Sequence, residues 1–194
     1  MLPSEVATFL DAVEADYRAD CYEARWDDAV AAKIVPNLAA ILDSDDRDTL
    51  LRALRAFVTI GPLACDAVPK IARLLRSPEL LVFQAAAIAL ARVSWKKPSS
   101  AIQPLIEAAD IPGHEEYVMQ ALIILGNAAT SAAPVFVRSF ENRSAKIRRL
   151  ALRGLVAIGA DDNVLSEILR QAANDKSKEV RDYASKLVAR NAAR

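Results

Sequence analysis

Histidine and cysteine, the side chains that most often act as bases, nucleophiles or metal ligands, are scarce and scattered in this 194-residue sequence. His114 is the only histidine, and Cys21 and Cys65 are the only cysteines. A hydrolase needs a base beside a nucleophile, and a zinc site needs several nitrogen or sulfur ligands at short spacings. The sequence also lacks a glycine-rich phosphate-binding loop. We therefore expect no catalytic residue, no metal and no cofactor, with His114 in a loop or at a helix start and both thiols buried or half-buried.

Charge is balanced over the whole chain but not along it. Basic and acidic residues number 25 each, so the formal net charge is zero and nothing global points to nucleic acid or a membrane. Residues 1–50 contain twelve acidic and four basic residues, whereas residues 138–194 contain thirteen basic and seven acidic. No cationic start followed by an apolar core opens the chain, and no unbroken apolar run reaches 18 residues. These features favour a cytoplasmic protein without membrane contact.

A repeated helical pattern organises the sequence. In the stretch 147–159, apolar residues recur at helical spacing and Gly159 ends the helix. Similar stretches occur at steps of roughly 33 residues, which is the signature of a helical repeat. Short polar residues able to form turns keep the same register, 33, 33, 32 and 33 residues apart: Ser44, Ser77, Asp110, Asn142 and Asp175. This register predicts an all-α protein built from about five helix pairs.

The predicted repeats span approximately 27–61, 62–94, 95–126, 127–159 and 160–194, within an array over 26–194 that forms one domain. Residues 1–25 match no repeat, and an amphipathic helix over 4–19 with an acidic outer face is expected to cap the first one. We expect a kink or break before Pro36 and an N-cap at Asp66 before Pro69. Trp95, in an inserted loop, is expected to cover a seam between repeats, with an exposed loop contact as the alternative.

The repeats resemble HEAT repeats, in particular the short form seen in phycobilisome-lyase-like proteins. The resemblance is carried by Ala67-Val68-Pro69-x-Ile71, by Ala132-Ala133-Pro134, and by the Arg-x-x-Ala pattern that begins at Arg148 and again at Arg181. It covers about residues 27–190 and implies a right-handed, armadillo-like α-solenoid there, preceded by the capping helix predicted above. It also implies that Arg148 and Arg181 bridge to acidic or amide turn residues, often in a neighbouring repeat.

In the HEAT family the second helix of each pair lines the concave surface, so a helical wheel separates packing positions from exposed ones. Two columns of mostly small residues, one anchored at Ala53 and Ala151, are expected to pack between neighbouring helices. The opposite columns contain arginine and tyrosine, which dominate interface energetics. The predicted partner-binding residues are Arg52, Arg55, Gln84, Ile88, Tyr117, Gln120, Arg149, Arg153, Tyr183 and Lys186.

These observations favour a non-catalytic scaffold or adaptor that binds a protein or peptide on its concave face, as a monomer or weak homodimer. One alternative, implied by the resemblance, is a phycobilin-lyase-like accessory subunit. Another is nucleic-acid binding through the basic C-terminal half, which the neutral overall charge and the acidic N-terminal end disfavour.

Overall fold

The computed structural model describes residues 4–18 and 28–192, and within these ranges it contains eleven α-helices, three 3-10 segments and no β-strand. The helices are α1 (Ser4–Arg18), α2 (Asp28–Ile41), α3 (Arg47–Ile60), α4 (Val68–Arg73), α5 (Leu80–Val93), α6 (Ser99–Ala108), α7 (Glu115–Leu125), α8 (Ala133–Ser139), α9 (Ala145–Ala157), α10 (Asp162–Ala172) and α11 (Lys178–Ala192). The predicted all-α repeat class is therefore confirmed. Cys21, one of the two predicted buried or half-buried thiols, lies outside the described residues.

The chain divides into two compact units. Unit 1 spans Met1–Ala108 and contains α1–α6, whereas unit 2 spans Ala109–Arg194 and contains α7–α11. The boundary falls between α6 and α7, inside the third predicted repeat. The prediction that all repeats form one right-handed domain stays a prediction.

The turn residues occupy the predicted place, between the first and second helix of each pair. Four of them accept a hydrogen bond from the backbone N–H two residues later. The distances are 3.1 Å for Ser44, 3.2 Å for Ser77, 2.9 Å for Asn142 and 2.7 Å for Asp175. These side chains close the turn and hold the second helix at a fixed starting point. Asp110 differs, because it pairs with Arg138 at 2.8 Å.

Two glycines end second helices in a conformation that disfavours other residues. Gly61 has φ 60° and ψ −136°, and Gly126, 65 residues later, has φ 59° and ψ −140°. Each begins a 3-10 segment, 61–67 or 126–132, that leads directly into the next first helix. The expected N-cap at Asp66 is wrong, because α4 continues from such a segment, and its N-cap residue Ala67 makes no side-chain capping bond.

Of the kink or break expected before Pro36, the break is wrong, since α2 continues through this residue, and the kink stays a prediction. A proline inside a helix costs about 3 kcal/mol. The helix buries Ala31, Ile34, Leu38 and Ile41 on one face. Burial of a large aliphatic side chain stabilises by about 1.5–3 kcal/mol, so this face outweighs the local cost.

The core has the predicted columns. Ala53, Ala86, Val118, Ala151 and Ala184 are all buried, and so is the adjacent small column, which includes Ala56, Ala89, Ala121 and Gly154. Small side chains let neighbouring helices approach closely. Among the glycines, Gly154 on α9 has the closest neighbour, since an added Cβ would lie 1.9 Å from Cε1 of Phe136 on α8.

Helix α1 packs against α3 in unit 1 and buries Val6, Leu10 and Val13. The side chain of Asp11 is 75% exposed, as expected for an acidic outer face, whereas that of Glu14 is 22% exposed, and both also have a partner on α3. Asp11 forms an ion pair with Arg52, and Glu14 forms one with Arg55 at 3.0 Å. These partners lie 41 residues away in sequence, so the helical wheel of α1 alone could not reveal them.

Residues 115–139 are long and apolar enough to cross a membrane by length and composition alone. They are not one straight helix, however, since the chain turns at Gly126 between α7 and the 3-10 segment that precedes α8. Val118, Leu122 and Phe136 from this stretch are buried in unit 2. The stretch is thus part of a protein core, and the absence of membrane contact stays a prediction.

Candidate functional site

The predicted partner-binding residues all lie on second helices, and none is buried. Arg149, Arg153 and Lys186 are exposed, and the other seven are half-buried. Unit 1 contains Arg52 and Arg55 on α3 and Gln84 and Ile88 on α5. Unit 2 contains Tyr117 and Gln120 on α7, Arg149 and Arg153 on α9, and Tyr183 and Lys186 on α11.

Four of the six predicted residues in unit 2 line one cleft, which we call the unit 2 cleft. It has a volume of about 350 Å³ and is built by three successive second helices. Its lining residues are Glu116, Gln120, Lys146, Arg149, Leu150, Arg153 and Tyr183. Tyr117 and Lys186 lie on the same helices but do not line it.

Three lining residues were not among the predicted site residues. Glu116 and Leu150 belong to the exposed columns of the helical wheel, which could have identified them. Lys146 precedes Arg149 by three residues, so a wheel extended to the start of α9 places it on the same face. Its ion pair with Glu116 on α7 is a tertiary contact, however, and the sequence gives no sign of it.

Two of the four charged side chains that line the unit 2 cleft, Lys146 and Glu116, neutralise each other. Nζ of Lys146 lies 2.7 Å from Oε1 of Glu116, and Gln120 donates a hydrogen bond of 3.1 Å to the same carboxylate. Arg149 has a more distant partner, since its Nη1 lies 3.8 Å from an oxygen of Glu179. Arg153 forms no ion pair or hydrogen bond with any residue that the structure describes.

A buried ion pair fixes the start of α9 beside this cleft. Arg148 is 4% exposed. Its Nε and Nη2 each donate to Asp175 at 2.7 Å, and its Nη1 donates to the carbonyl oxygens of Asn142 and Arg143 at 2.8 and 3.0 Å. This is the bridge to a turn residue of the neighbouring repeat that the HEAT resemblance implies.

The same turn also receives Arg181, whose Nη1 donates to the carbonyl oxygen of Asp175 at 2.6 Å. The hydrogen bonds from Arg148 lower the pKa of the Asp175 carboxyl group, despite partial burial, and those to Asp175 raise the pKa of Arg148. Both groups therefore stay charged at neutral pH. The structural role predicted for the two arginines agrees with these contacts.

Unit 1 presents a different surface. A groove of about 340 Å³ between α3 and α5 has largely aliphatic walls that include Leu51, Val58, Leu81 and Ile88. Beside it, a second depression of about 350 Å³ brings Asp11 and Glu14 of α1 together with Arg52 and Arg55. The predicted arginines of unit 1 are thus engaged by α1.

The remaining candidate residues show no site. His114 occupies the N-cap position of α7, as expected for a helix-start residue. Within the described ranges, no group of three or more His, Cys, Asp or Glu side chains could hold a metal ion. Cys65 is half-buried, as predicted. Trp95 is 65% exposed, so the expectation that it covers a seam is wrong. It lies in the turn after α5, where the loop conformation leaves its ring in solvent.

Comparisons with known proteins identify the class of fold. A designed armadillo repeat protein in complex with the peptide (KR)4 matches with a TM-score of 0.63 at 15% identity, over 94% of this chain and 97% of that one. Designed armadillo repeat proteins for modular peptide recognition match with a TM-score of 0.58 at 15% identity, over 95% and 97% of the two chains.

A natural structure matches as well. The complex of CpcE and CpcF of phycocyanin lyase from Nostoc sp. PCC7120 matches with a TM-score of 0.59 at 22% identity, over 94% of this chain and 70% of that one. Neither protein-family models nor curated protein sequences match. The chain therefore has the α-helical repeat fold of HEAT and armadillo proteins. At these identities the likeness concerns the fold alone, so a function must be argued from this chain's own residues.

Proposed function

We propose that this chain is a protein-interaction module that binds a peptide or protein segment on the exposed face of its second helices, with the unit 2 cleft as the main contact. The observation that supports the proposal is the cleft itself, since side chains from α7, α9 and α11 meet there. A binding role without catalysis is part of the proposal.

Two physical arguments favour this role. The cleft consists of preformed helices held by buried contacts, so little conformational entropy is lost when a ligand binds. Its lining also combines arginine and tyrosine with an aliphatic side chain, a composition typical of strong interface contacts. The designed armadillo structures named above show that a fold of this type can serve peptide binding.

The proposal is tested by selecting peptides from a display library of random twelve-residue sequences with the purified full chain. Hydrogen–deuterium exchange, measured with and without an enriched peptide, then locates the bound surface. We expect protection of α9 and α11 around Leu150 and Tyr183. Failure to enrich any peptide, or protection confined to the first helices α8 and α10, would contradict the proposal.

The likeness to the CpcE–CpcF complex keeps a second candidate open, an accessory subunit of a phycobilin lyase. Titration with free bilin tests it, because a bound bilin shifts its visible absorbance. Nucleic-acid binding is less well supported, since Lys146 and Arg149 have acidic partners in the folded chain. A salt-dependent band shift that is abolished by charge reversal at Arg149 and Arg153 would favour it.

A further inference from the structure

The cations of the unit 2 cleft differ in how firmly they are engaged. Glu116 is half-buried and holds both Lys146 and Gln120. The Arg149–Glu179 pair is longer, at 3.8 Å, and its side chains are 49% and 73% exposed. An exposed ion pair of this kind contributes about 0–1 kcal/mol, so a ligand carboxylate can replace Glu179 at little cost. Arg149 and Arg153 are therefore the two cations available to a ligand.

The spacing of these cations restricts the shape of the ligand. Arg149 and Arg153 are four residues apart on α9, which places them on one face at a rise of about 6 Å. In an extended peptide, side chains two positions apart lie on the same side and about 7 Å from each other. An extended segment that runs along α9 can thus present two carboxylates to the two guanidinium groups.

The apolar part of the cleft lining adds a further requirement. Leu150 and Tyr183 are half-buried and lie among the charged lining residues. A wholly charged ligand would leave these surfaces in contact with water, whereas an aliphatic or aromatic ligand side chain would cover them.

We infer that the unit 2 cleft selects an acidic peptide segment, with two carboxylates two positions apart and an apolar residue nearby. The inference rests on the proposed function and specifies the class of partner for the same site. Charge complementarity carries it, because the basic surplus of unit 2 has no counterpart in unit 1, where α1 supplies carboxylates to Arg52 and Arg55.

The peptides enriched from the display library provide the first test. We expect them to be rich in glutamate and aspartate, with pairs two positions apart. A labelled copy of the strongest peptide is then compared with a copy in which its two paired acids are replaced by glutamine or asparagine. The neutral copy should bind roughly ten-fold more weakly, and the difference should shrink when the salt concentration rises from about 0.05 M to about 0.5 M.

Two variants of equal charge assign the effect to the cleft. Arg149→Gln/Arg153→Gln should weaken binding of the acidic peptide roughly ten-fold and leave the neutral copy almost unaffected. Arg143→Gln/Arg170→Gln removes the same charge from exposed positions of unit 2 outside the cleft and should change little. Circular dichroism confirms that both variants are folded.

The possible outcomes separate the inference from the proposed function. If the enriched peptides are neutral or basic and still protect the chain around Leu150 and Tyr183 from exchange, the inference is overturned and the proposed function stands. An equal loss in both double variants would also overturn it, because net charge alone would then explain binding. If no peptide is enriched at all, the proposed function fails and the inference fails with it.

Discussion

The two units differ at one repeat position, where unit 1 buries apolar side chains and unit 2 buries a charged one. Unit 1 places Leu50 and Phe83 at the start of its second helices, and unit 2 places Arg148 there; all three are buried. Burying a guanidinium group requires a partner for its donors. Arg148 meets this requirement through Asp175 and two carbonyl oxygens. This repeat position therefore accepts a buried arginine where a neighbouring turn supplies the hydrogen-bond acceptors.

The units also differ at the surface. In unit 1, α1 contributes Asp11 and Glu14 to the arginines of α3, and an aliphatic groove lies beside them. In unit 2, no helix takes this role for Arg153 among the described residues. Since the helices are built from the same repeat, a few side chains decide whether the face is apolar and neutral or basic.

The largest expected effect comes from removing the buried arginine. Arg148→Ala leaves Asp175 buried without its partner, and breaking such a pair typically costs about 3–5 kcal/mol. Arg149→Ala, one residue away but exposed, is the matched control and should cost less than about 1 kcal/mol. Urea denaturation measures both free energies of unfolding.

A double substitution then tests the comparison of the units directly. Leu50 and Ser77 are 27 residues apart in unit 1, like Arg148 and Asp175 in unit 2. Arg148→Leu/Asp175→Ser transfers the pair of unit 1 into unit 2 and should recover most of the stability that Arg148→Ala loses, because an apolar replacement needs no buried acceptor. If the double variant is as unstable as the single one, the two positions are not equivalent.

The next effect concerns two buried positions, one on a first helix and one on a second helix, at which the units differ in side-chain size. Unit 2 has Phe136 and Gly154, whereas unit 1 has Ile71 and Ala89 at the positions 65 residues earlier, and all four are buried. Gly154→Ala would gain about 1 kcal/mol of helix propensity, but the new methyl group would clash with the Phe136 ring. Overpacking of this kind costs about 1–3 kcal/mol, so we expect net destabilisation.

Adding Phe136→Ile to Gly154→Ala recreates the combination of unit 1 and should relieve the clash. A double-mutant cycle measured by urea denaturation gives the coupling free energy, which we expect to be favourable. Additive effects would show that the ring can move aside without help.

The helix register was predictable from sequence because it depends on local spacing. The small residues at Ala53 and Ala151 are buried as expected. Turn residues such as Ser77 were recognisable because their hydrogen bonds reach only two residues along the chain.

Features that depend on tertiary contacts were not predictable in this way. The partners of Asp11 and Glu14 come from another helix, and the helix through Pro36 is maintained by burial that exceeds a local penalty. None of the ten predicted binding residues is buried, but their grouping depends on neighbouring helices. Lys146 lines the cleft and pairs with Glu116 on another helix, and no local sequence pattern predicts this ion pair.

Acid should weaken unit 2 through the Arg148–Asp175 pair. The folded-state pKa of Asp175 lies below its ordinary value because Arg148 donates hydrogen bonds to the carboxylate. The stability that the pair supplies is thus fully present above the unfolded-state pKa of about 3.9 and is lost as the pH falls through the lower folded-state value. We expect the stability difference between the wild type and Asp175→Asn to be constant from pH 7 to about pH 5 and to shrink below pH 4. A difference that stays constant down to pH 2 would show that the charge of Asp175 does not contribute.

The smallest expected change in stability comes from Asp11→Asn/Glu14→Gln. This double variant breaks two partly exposed ion pairs between α1 and α3. Each pair is worth about 0.2–1 kcal/mol, because solvent screens the charges. The buried side chains of Val6, Leu10 and Val13 still hold α1 in place. Urea denaturation measures the loss.

The same double variant also tests binding. With these two carboxylates neutralised, the depression between α1 and α3 carries less negative charge beside Arg52 and Arg55, so the acidic peptide should acquire a second, weaker site on unit 1, detected as new protection of α3 in hydrogen–deuterium exchange. Protection that remains confined to unit 2 would mean that removing the carboxylates beside the arginines is not sufficient, and that Leu150 and Tyr183 distinguish the unit 2 cleft.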